Sequence, residues 1–417
     1  MRFLFVSPTG DSIGIALRVA LEGNDVAFWC LEPMARHVGE GLVSIFGKDS
    51  FSPGKGDIIV FDMTGQGALA DMLRWDGHHV IGGSGLADRL EDDRDYAFGV
   101  MKKCKIRIPN YETFTDWESG KEFAASLGEK AVFKPSGDIA EQCSSMVLEA
   151  NELVDVLDKF SSQFSKDSQF EIQEFIEGVD LSTEGWFNGE EFVEPFNHTL
   201  ETKKFMNDDK GPSEGCTGNV VWATTADDPL VQETILKLTP FLRSNSYIGP
   251  IDVNVIVSKD GPYALEFTPR FGYDATPTLA YELLGGDVGG FLWTVATKAK
   301  PFFDVKEGFA AGLRMSIPPW PNQKYEAQQG IAINGLHGSD YDHFCPMNVM
   351  EQDGQLATAG AWGILGVLTG YGKTIQEAFD TPYKIAKRME VPQKQYRTDM
   401  ADYFTKRYRK IQSEVMV

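Results

Sequence analysis

Residues 251–272, IDVNVIVSKDGPYALEFTPRFG, leave a chain few ways to fold. Two apolar runs with period-two alternation meet at a Ser-Lys-Asp-Gly turn, which predicts two antiparallel strands. A three-residue loop of Lys259, Asp260 and Gly261, with Gly261 in the left-handed region, would pair Ser258 with Pro262. That register sets Glu266 opposite Asn254 and Thr268 opposite Asp252. Because strand side chains alternate between faces, these four share one surface while Val255 and Phe267 share the other. Such oxygens suit a hard cation such as magnesium, and they equally suit the solvated face of an ordinary amphipathic hairpin.

Composition narrows the setting. A chain of 417 residues exceeds what one core usually supports, and 42% apolar residues with 12% aromatics can fill about two to four subdomains. The formal net charge of -22 repels nucleic acid and anionic membranes, so neither is an expected partner, and a phosphate-bearing ligand must be held by a few local cations. Five cysteines (Cys30, Cys104, Cys143, Cys216 and Cys345) are odd in number and lack the close pairs of a zinc site, which fits a reducing cytoplasm. The N-terminal MRFLFVSPTG runs straight into a strand and no long apolar segment follows, so neither signal peptide nor membrane span is expected.

The N-terminal section reads as strand, glycine-containing turn and helix, with further strands at 26–29, 57–61 and 80–83, the spacing of a small doubly wound parallel sheet. PTGDSIG lacks the G-x-G-x-x-G spacing, so it is a plain tight turn and not a dinucleotide site. Helices are predicted at 96–104, 117–127 and 151–160, and strands at 131–135, 145–148 and 170–176. Lys134 is conspicuous on the buried strand AVFKP: its ammonium either snorkels to the surface or meets a phosphate. The strand ending in QEFIEGVD leaves backbone groups able to pair with an adenine edge, and Asp180 could take ribose hydroxyls.

Together, FKPSG, QEFIEGVDLS, NDDKGPSEGCTG, YALEFTPRFG and the late QYRTD resemble the ATP-grasp ligases, most closely the glycinamide ribonucleotide synthetases. The resemblance implies an α/β ATP-grasp fold: a Rossmann-like doubly wound parallel-sheet domain at 1–92, an ATP-grasp domain at 93–307 with a small α+β lid at about 113–176, and an α+β domain at 308–417. It implies an ADP-forming carboxylate-amine ligase that works through an acyl phosphate, with ATP and Mg2+ (or Mn2+) as cofactors and small molecules as substrates. Arg94, where lysine is usual, Lys134 and Lys203 would hold phosphates. The backbone of Glu174, Phe175 and Ile176 would hold adenine, and Asp180 the ribose. Glu266, Thr268, Asn254 and Asp252 would hold metal. Lys134, Glu266 and Arg270 would serve the chemistry, Arg270 by holding the acid substrate unless it is simply salt-bridged. A monomer or homodimer is expected.

Three departures bear on the substrate. The family's E-x-N is here Glu266 and Thr268, its R-F-G-D-P-E is RFGYDA with the acid moved to Asp274, and its G-G-R-E-H is absent from the first turn. A glycine–phosphoribosylamine ligase, a ligase for another acid and amine, and a catalytically weakened nucleotide binder are the readings these leave. The tryptophans at 186, 222, 293, 320 and 362 are expected in the core, IPPWPN as a rigid linker, and KRYRK at 406–410 as a solvated face or a subunit contact.

Overall fold

The computed structural model describes residues 1–136, 139, 145–165, 168–299 and 305–415. Four sheets organise them. The first is parallel, with Arg2–Ser7 at its centre between Asp25–Cys30 and Ile58–Phe61, and with Ser44–Ile45 and His79–Ile81 at the edges. Its apolar runs FLFV and IIVF are buried on both faces, as parallel strands between helices must be. The edge strand predicted at 80–83 stops at Ile81 because Gly82 and Gly83 turn left-handed, at φ +66° and +49°. A Cβ on Gly82 would lie 2.1 Å from the Phe61 carbonyl oxygen, so only glycine fits there.

A four-stranded antiparallel sheet forms the lid, in the order Tyr111–Phe114, Phe170–Glu174, Ala131–Pro135, Met146–Leu148. Helices Trp117–Leu127 and Ala150–Ser161 pack in its separate core with Phe133, Phe170, Leu153 and Leu157. The first of these helices is set locally: the Asp116 carboxylate accepts from the Ser119 N–H at 2.8 Å, and Gly128 ends it at φ +67°.

The third sheet is the frame of the molecule. Its eight strands run Gly261–Thr268, Ile248–Ser258, Val179–Asn188, Phe192–Met206, Lys210–Thr224, Phe309–Ser316, Ile364–Gly372, Phe344–Pro346. It therefore passes without a break across position 308. Two strands follow near the C-terminal end, Gln355–Ala359 in a small three-stranded sheet and Ile364–Gly372 in the large one, parted by left-handed Gly360 and Gly363. No helix among the described residues is long and apolar enough to cross a membrane.

Three expectations need correction. The hairpin turn has two central residues, not three, so Ser258 pairs with Gly261 and not with Pro262. A bulge between the Asn254 and Val255 pairings then shifts the ladder by one residue, restoring Asn254 opposite Glu266 and Asp252 opposite Thr268. Trp293 is 39% exposed, unlike the buried Trp186 and Trp320, because it lies on the outer face of the helix Val288–Thr297. The KRYRK segment is not simply solvated: Tyr408 packs edge-on against Trp222 and Phe309, and Arg407 reaches Asp180 at 3.5 Å.

Candidate active site

The central sheet carries one polar face across four neighbouring strands. Its register sets Ser182 opposite Asn254 and Glu184 opposite Asp252 on one side, and Ser182 opposite Thr199 on the other. Period-two alternation then places Asp180, Ser182 and Glu184, Asp252 and Asn254, Glu266 and Thr268, and Thr199, Glu201 and Lys203 on the same surface. Of the four residues expected to hold metal, Asn254 and Thr268 are in direct contact, with Glu266 and Asp252 paired opposite them in the ladder. Ser182 Oγ donates to Asn254 Oδ1 at 2.7 Å, and Asn254 Nδ2 donates to Thr268 Oγ1 at 3.0 Å.

Charge along this face is graded. Deep in the sheet, burial pushes the Glu184 carboxyl up to about 7, against a 2.9 Å hydrogen bond from Trp186 Nε1. Burial also raises Asp252 well above the usual carboxylate range, with Glu184 and Glu201 adding repulsion, and Asp252 Oδ1 has no hydrogen-bond partner. At the open end Glu266 lies 3.7 Å from Lys203, which is also 3.8 Å from Glu201.

Lys134 comes to this surface from the lid. Burial, followed by repulsion from Arg94, holds its ammonium down at about 8, while Glu266 and Glu171 pull the other way. Arg94 is 3.4 Å from Glu171, whose strand pairs Glu171 with Lys134. Lys134 is thus within electrostatic reach of Arg94, Glu171, Glu266 and Lys203, and its ammonium lies 5.9 Å from the centre of the Phe98 ring. The loop that follows it, 137–144 apart from Ile139 and including Cys143, lies outside the described residues.

Other expected residues are engaged differently. The strand before the hinge ends at Glu174, not at Ile176. The Glu174 N–H donates to the Asn110 carbonyl at 2.8 Å, and its carboxylate accepts from the Asn110 N–H and amide at 3.1 and 2.9 Å. The Glu174 N–H is therefore spent within the fold. Asp180 is exposed, with Arg407 its nearest cation. Arg270 is salt-bridged to Glu91 at 2.9 Å and lies over the Tyr273 ring at 4.3 Å. Asp274 forms a buried two-pronged pair with Arg314, at 2.5 and 3.1 Å.

The lysine-bearing hairpin is clamped from the far end of the chain. Arg397, 1% exposed, donates to Thr202 Oγ1, the Lys204 carbonyl and Asp209 at 2.9–3.0 Å, and pairs with Asp399. Asp399 in turn accepts from the Asp208 N–H at 3.0 Å, and Thr398 and Asn207 exchange two hydrogen bonds. Gly215 on the same hairpin touches the Tyr273 ring, where a Cβ would come within 2.8 Å. The sequence reading missed Glu184, Glu201 and Glu171. The first two were visible as alternating polar positions in DLSTE and TLETK, and the third gives no local signal.

Among the described residues no three His, Cys, Asp or Glu side chains gather to hold a metal. One exposed carboxylate, a hydroxyl and an orphaned buried carboxylate oxygen nevertheless suit magnesium, which takes one or two carboxylates and completes its shell with phosphate oxygens and water.

Residues 92–276 match the family model for the phosphoribosylglycinamide synthetase ATP-grasp (A) domain. The chain is 24% identical over 342 residues to the phosphoribosylamine–glycine ligase of Halalkalibacterium halodurans, covering 80% of this chain and 78% of the relative. It is 25% identical over 344 residues to that of Listeria monocytogenes, covering 80% of each. The crystal structure of the Thermotoga maritima phosphoribosylamine–glycine ligase superposes with a TM-score of 0.71 at 22% identity, over 96% of this chain and 100% of that one. A biotin carboxylase from Campylobacter jejuni superposes with a TM-score of 0.62 at 13% identity, over 96% and 93%. The chain thus has the fold of the Thermotoga maritima phosphoribosylamine–glycine ligase, and its residues 92–276 are similar to the ATP-grasp (A) domain of the phosphoribosylglycinamide synthetases.

Proposed function

We propose that this chain is an ATP-dependent, ADP-forming ligase that activates glycine as an acyl phosphate and joins it to phosphoribosylamine. The observation that carries the reading is the meeting of three cations where lid and central sheet face each other: Lys134 within electrostatic reach of Arg94 and Lys203, Lys203 3.7 Å from Glu266, and Arg94 3.4 Å from Glu171. Transfer of a γ-phosphoryl group to a carboxylate asks the protein for positioning and charge neutralisation, not for a covalent nucleophile. Lys134, Arg94 and Lys203 neutralise the transferring group. Phe175, Ile176 and the Glu174 carbonyl flank adenine, and Asp180 takes the ribose. Glu266 and Thr268, with Asp252 and Asn254 beside them, would hold Mg2+ or Mn2+, which would supply charge neutralisation for the transferring phosphoryl group. Arg270, oriented by Glu91, receives the acid. The lid shuts water from the acyl phosphate. The cytoplasm, and a monomer or homodimer, complete this reading.

The test is ADP release with glycine and 5-phosphoribosylamine generated in situ from ribose 5-phosphate and ammonia, set against a panel of other amino acids and amines. Release that needs both named substrates is expected. A specific observation favours a second reading, a different acid–amine pair: Asp274 is committed to Arg314 while Tyr273 covers Arg270. Release with another pair alone would select it.

Lys134 supplies a pH signature. Its charged form binds phosphate and its free-state value is about 8, so ATP affinity is expected to hold below that pH and to fall as pH rises through it. Lys134→Arg should flatten the profile. Lys134→Ala should raise the ATP KM by about 10- to 100-fold, the loss of one charge-assisted hydrogen bond. Normal ATP binding by the alanine variant would remove Lys134 from the site.

A further inference from the structure

Lys203 stands where the central sheet is irregular. The strands Phe192–Met206 and Lys210–Thr224 pair in register as far as Thr202 with Gly218, and the next pairings are Lys204 with Ser213 and Met206 with Lys210. Lys203 falls in the gap between Thr202 and Lys204, where the partner strand carries an excess of residues. Such breaks re-aim side chains beside functional sites, but they also remove the ladder hydrogen bonds that would hold the backbone still. A lysine on its flexible four-carbon stem is a poor anchor for phosphate unless its backbone is fixed in another way.

Side chains replace the missing ladder. Thr217 Oγ1 donates to the carbonyls of Thr202 and Lys204 at 3.1 and 2.9 Å, and Arg397 Nη1 donates to Thr202 Oγ1 and the Lys204 carbonyl at 3.0 and 2.9 Å. Both residues that flank Lys203 are thus gripped by one guanidinium from the far end of the chain. The grip is itself held: Arg397 Nε and Nη2 donate to the two oxygens of Asp399 at 3.0 and 2.8 Å, and its guanidinium lies 5.2 Å from the centre of the Tyr403 ring. A planar fork can serve a carboxylate on one edge and the hairpin on the other, which the point charge of an ammonium cannot do.

We infer that Arg397 is a positioning residue for Lys203: by fixing the backbone on both sides of that lysine it keeps the ammonium 3.7 Å from Glu266, at the phosphate end of the cleft. The inference rests on the reading of Lys203 as a phosphate ligand and deepens it. Arg397 is buried and all three of its guanidinium nitrogens are bonded within the fold, so its effect on ATP passes through the lysine.

The experiment is a double-mutant cycle on the whole chain, read as affinity for ATP with Mg2+ by titration calorimetry. Lys203→Ala is expected to weaken binding by about 30-fold, the loss of one charge-assisted contact. Arg397→Lys keeps the charge and loses the fork. It should weaken binding by about 10-fold in the wild-type background and by less than about twofold where Lys203 is already alanine, because the residue it positions is gone. Thr217→Val, which removes the second donor to the same two carbonyls, should show the same dependence at smaller size, and it carries the test if Arg397→Lys does not fold. Loss by the same factor in both backgrounds, or no loss in either, would make Arg397 a staple of the fold alone and overturn the inference. So would unchanged ATP binding by Lys203→Ala. ATP binding needs neither glycine nor phosphoribosylamine, so a chain that gave the expected cycle but released no ADP with that pair would lose the proposed substrates and keep the assignment of Arg397.

Discussion

Replacement of Glu266 by glutamine is expected to stop ADP formation while leaving the unfolding transition where it was. The side chain is 57% exposed and its one close ion pair among the described residues, Lys203 at 3.7 Å, is long and solvated, so its loss should move stability by no more than about 0.5 kcal/mol. The effect on chemistry is of another order. Glu266 is the exposed carboxylate at the open end of the polar face. Asp252 beside it is driven toward its neutral form by burial and by Glu184 and Glu201, so it cannot replace the missing charge. On the proposed reading a divalent ion would lose its anchor and the transferring phosphoryl group several kcal/mol of stabilisation, a fall in turnover of roughly 1000-fold or more. Glycine-dependent ADP release, measured beside a thermal melt, reads both quantities. Undiminished turnover would remove the metal assignment.

Asp274→Ala is expected to give the largest loss of stability of any single change near the site. Asp274 and Arg314 are both buried and joined by two hydrogen bonds from Nε and one from Nη2. Truncating the carboxylate leaves a guanidinium in the sheet without its counter-charge, at a cost of about 3–5 kcal/mol. Asp274 is the main charge that holds Arg314 protonated against the opposing pull of burial. The double variant Asp274→Ala with Arg314→Met should recover much of the loss, since the buried charge disappears with its partner. Urea unfolding of the two single variants and the double checks this. A double variant no more stable than the Asp274 variant would show that the pair does more than cancel its own charges.

The same two residues show where sequence reading reached its limit. The acid at position 274 was noticed for being one place out of the family pattern, yet nothing local points to Arg314, 40 positions later. Arg270 was left open between substrate and salt bridge, and its partner Glu91 lies 179 positions earlier. The YRTD tetrapeptide and the lysine hairpin were each seen as motifs, but their contact through Arg397 spans about 190 residues. The strand before QEFIEGVD was legible in the sequence to within two residues, and only the structure reveals that Asn110 already occupies the Glu174 N–H.

What the sequence determined by itself was periodicity. Alternation along a strand is a property of the local backbone, so DVNV and LEFT already contained the shared face of Asp252, Asn254, Glu266 and Thr268. That reading survived a wrong turn because a bulge near Leu265 shifts the ladder back by the one residue the turn had taken. Only the tertiary structure decided which groups look at that face. Lys134 and Arg94 arrive from the lid and its approach, and Arg397 from the C-terminal end. Electrostatic pairing depends on distance in space, which a one-dimensional pattern does not carry until the chain has closed on itself.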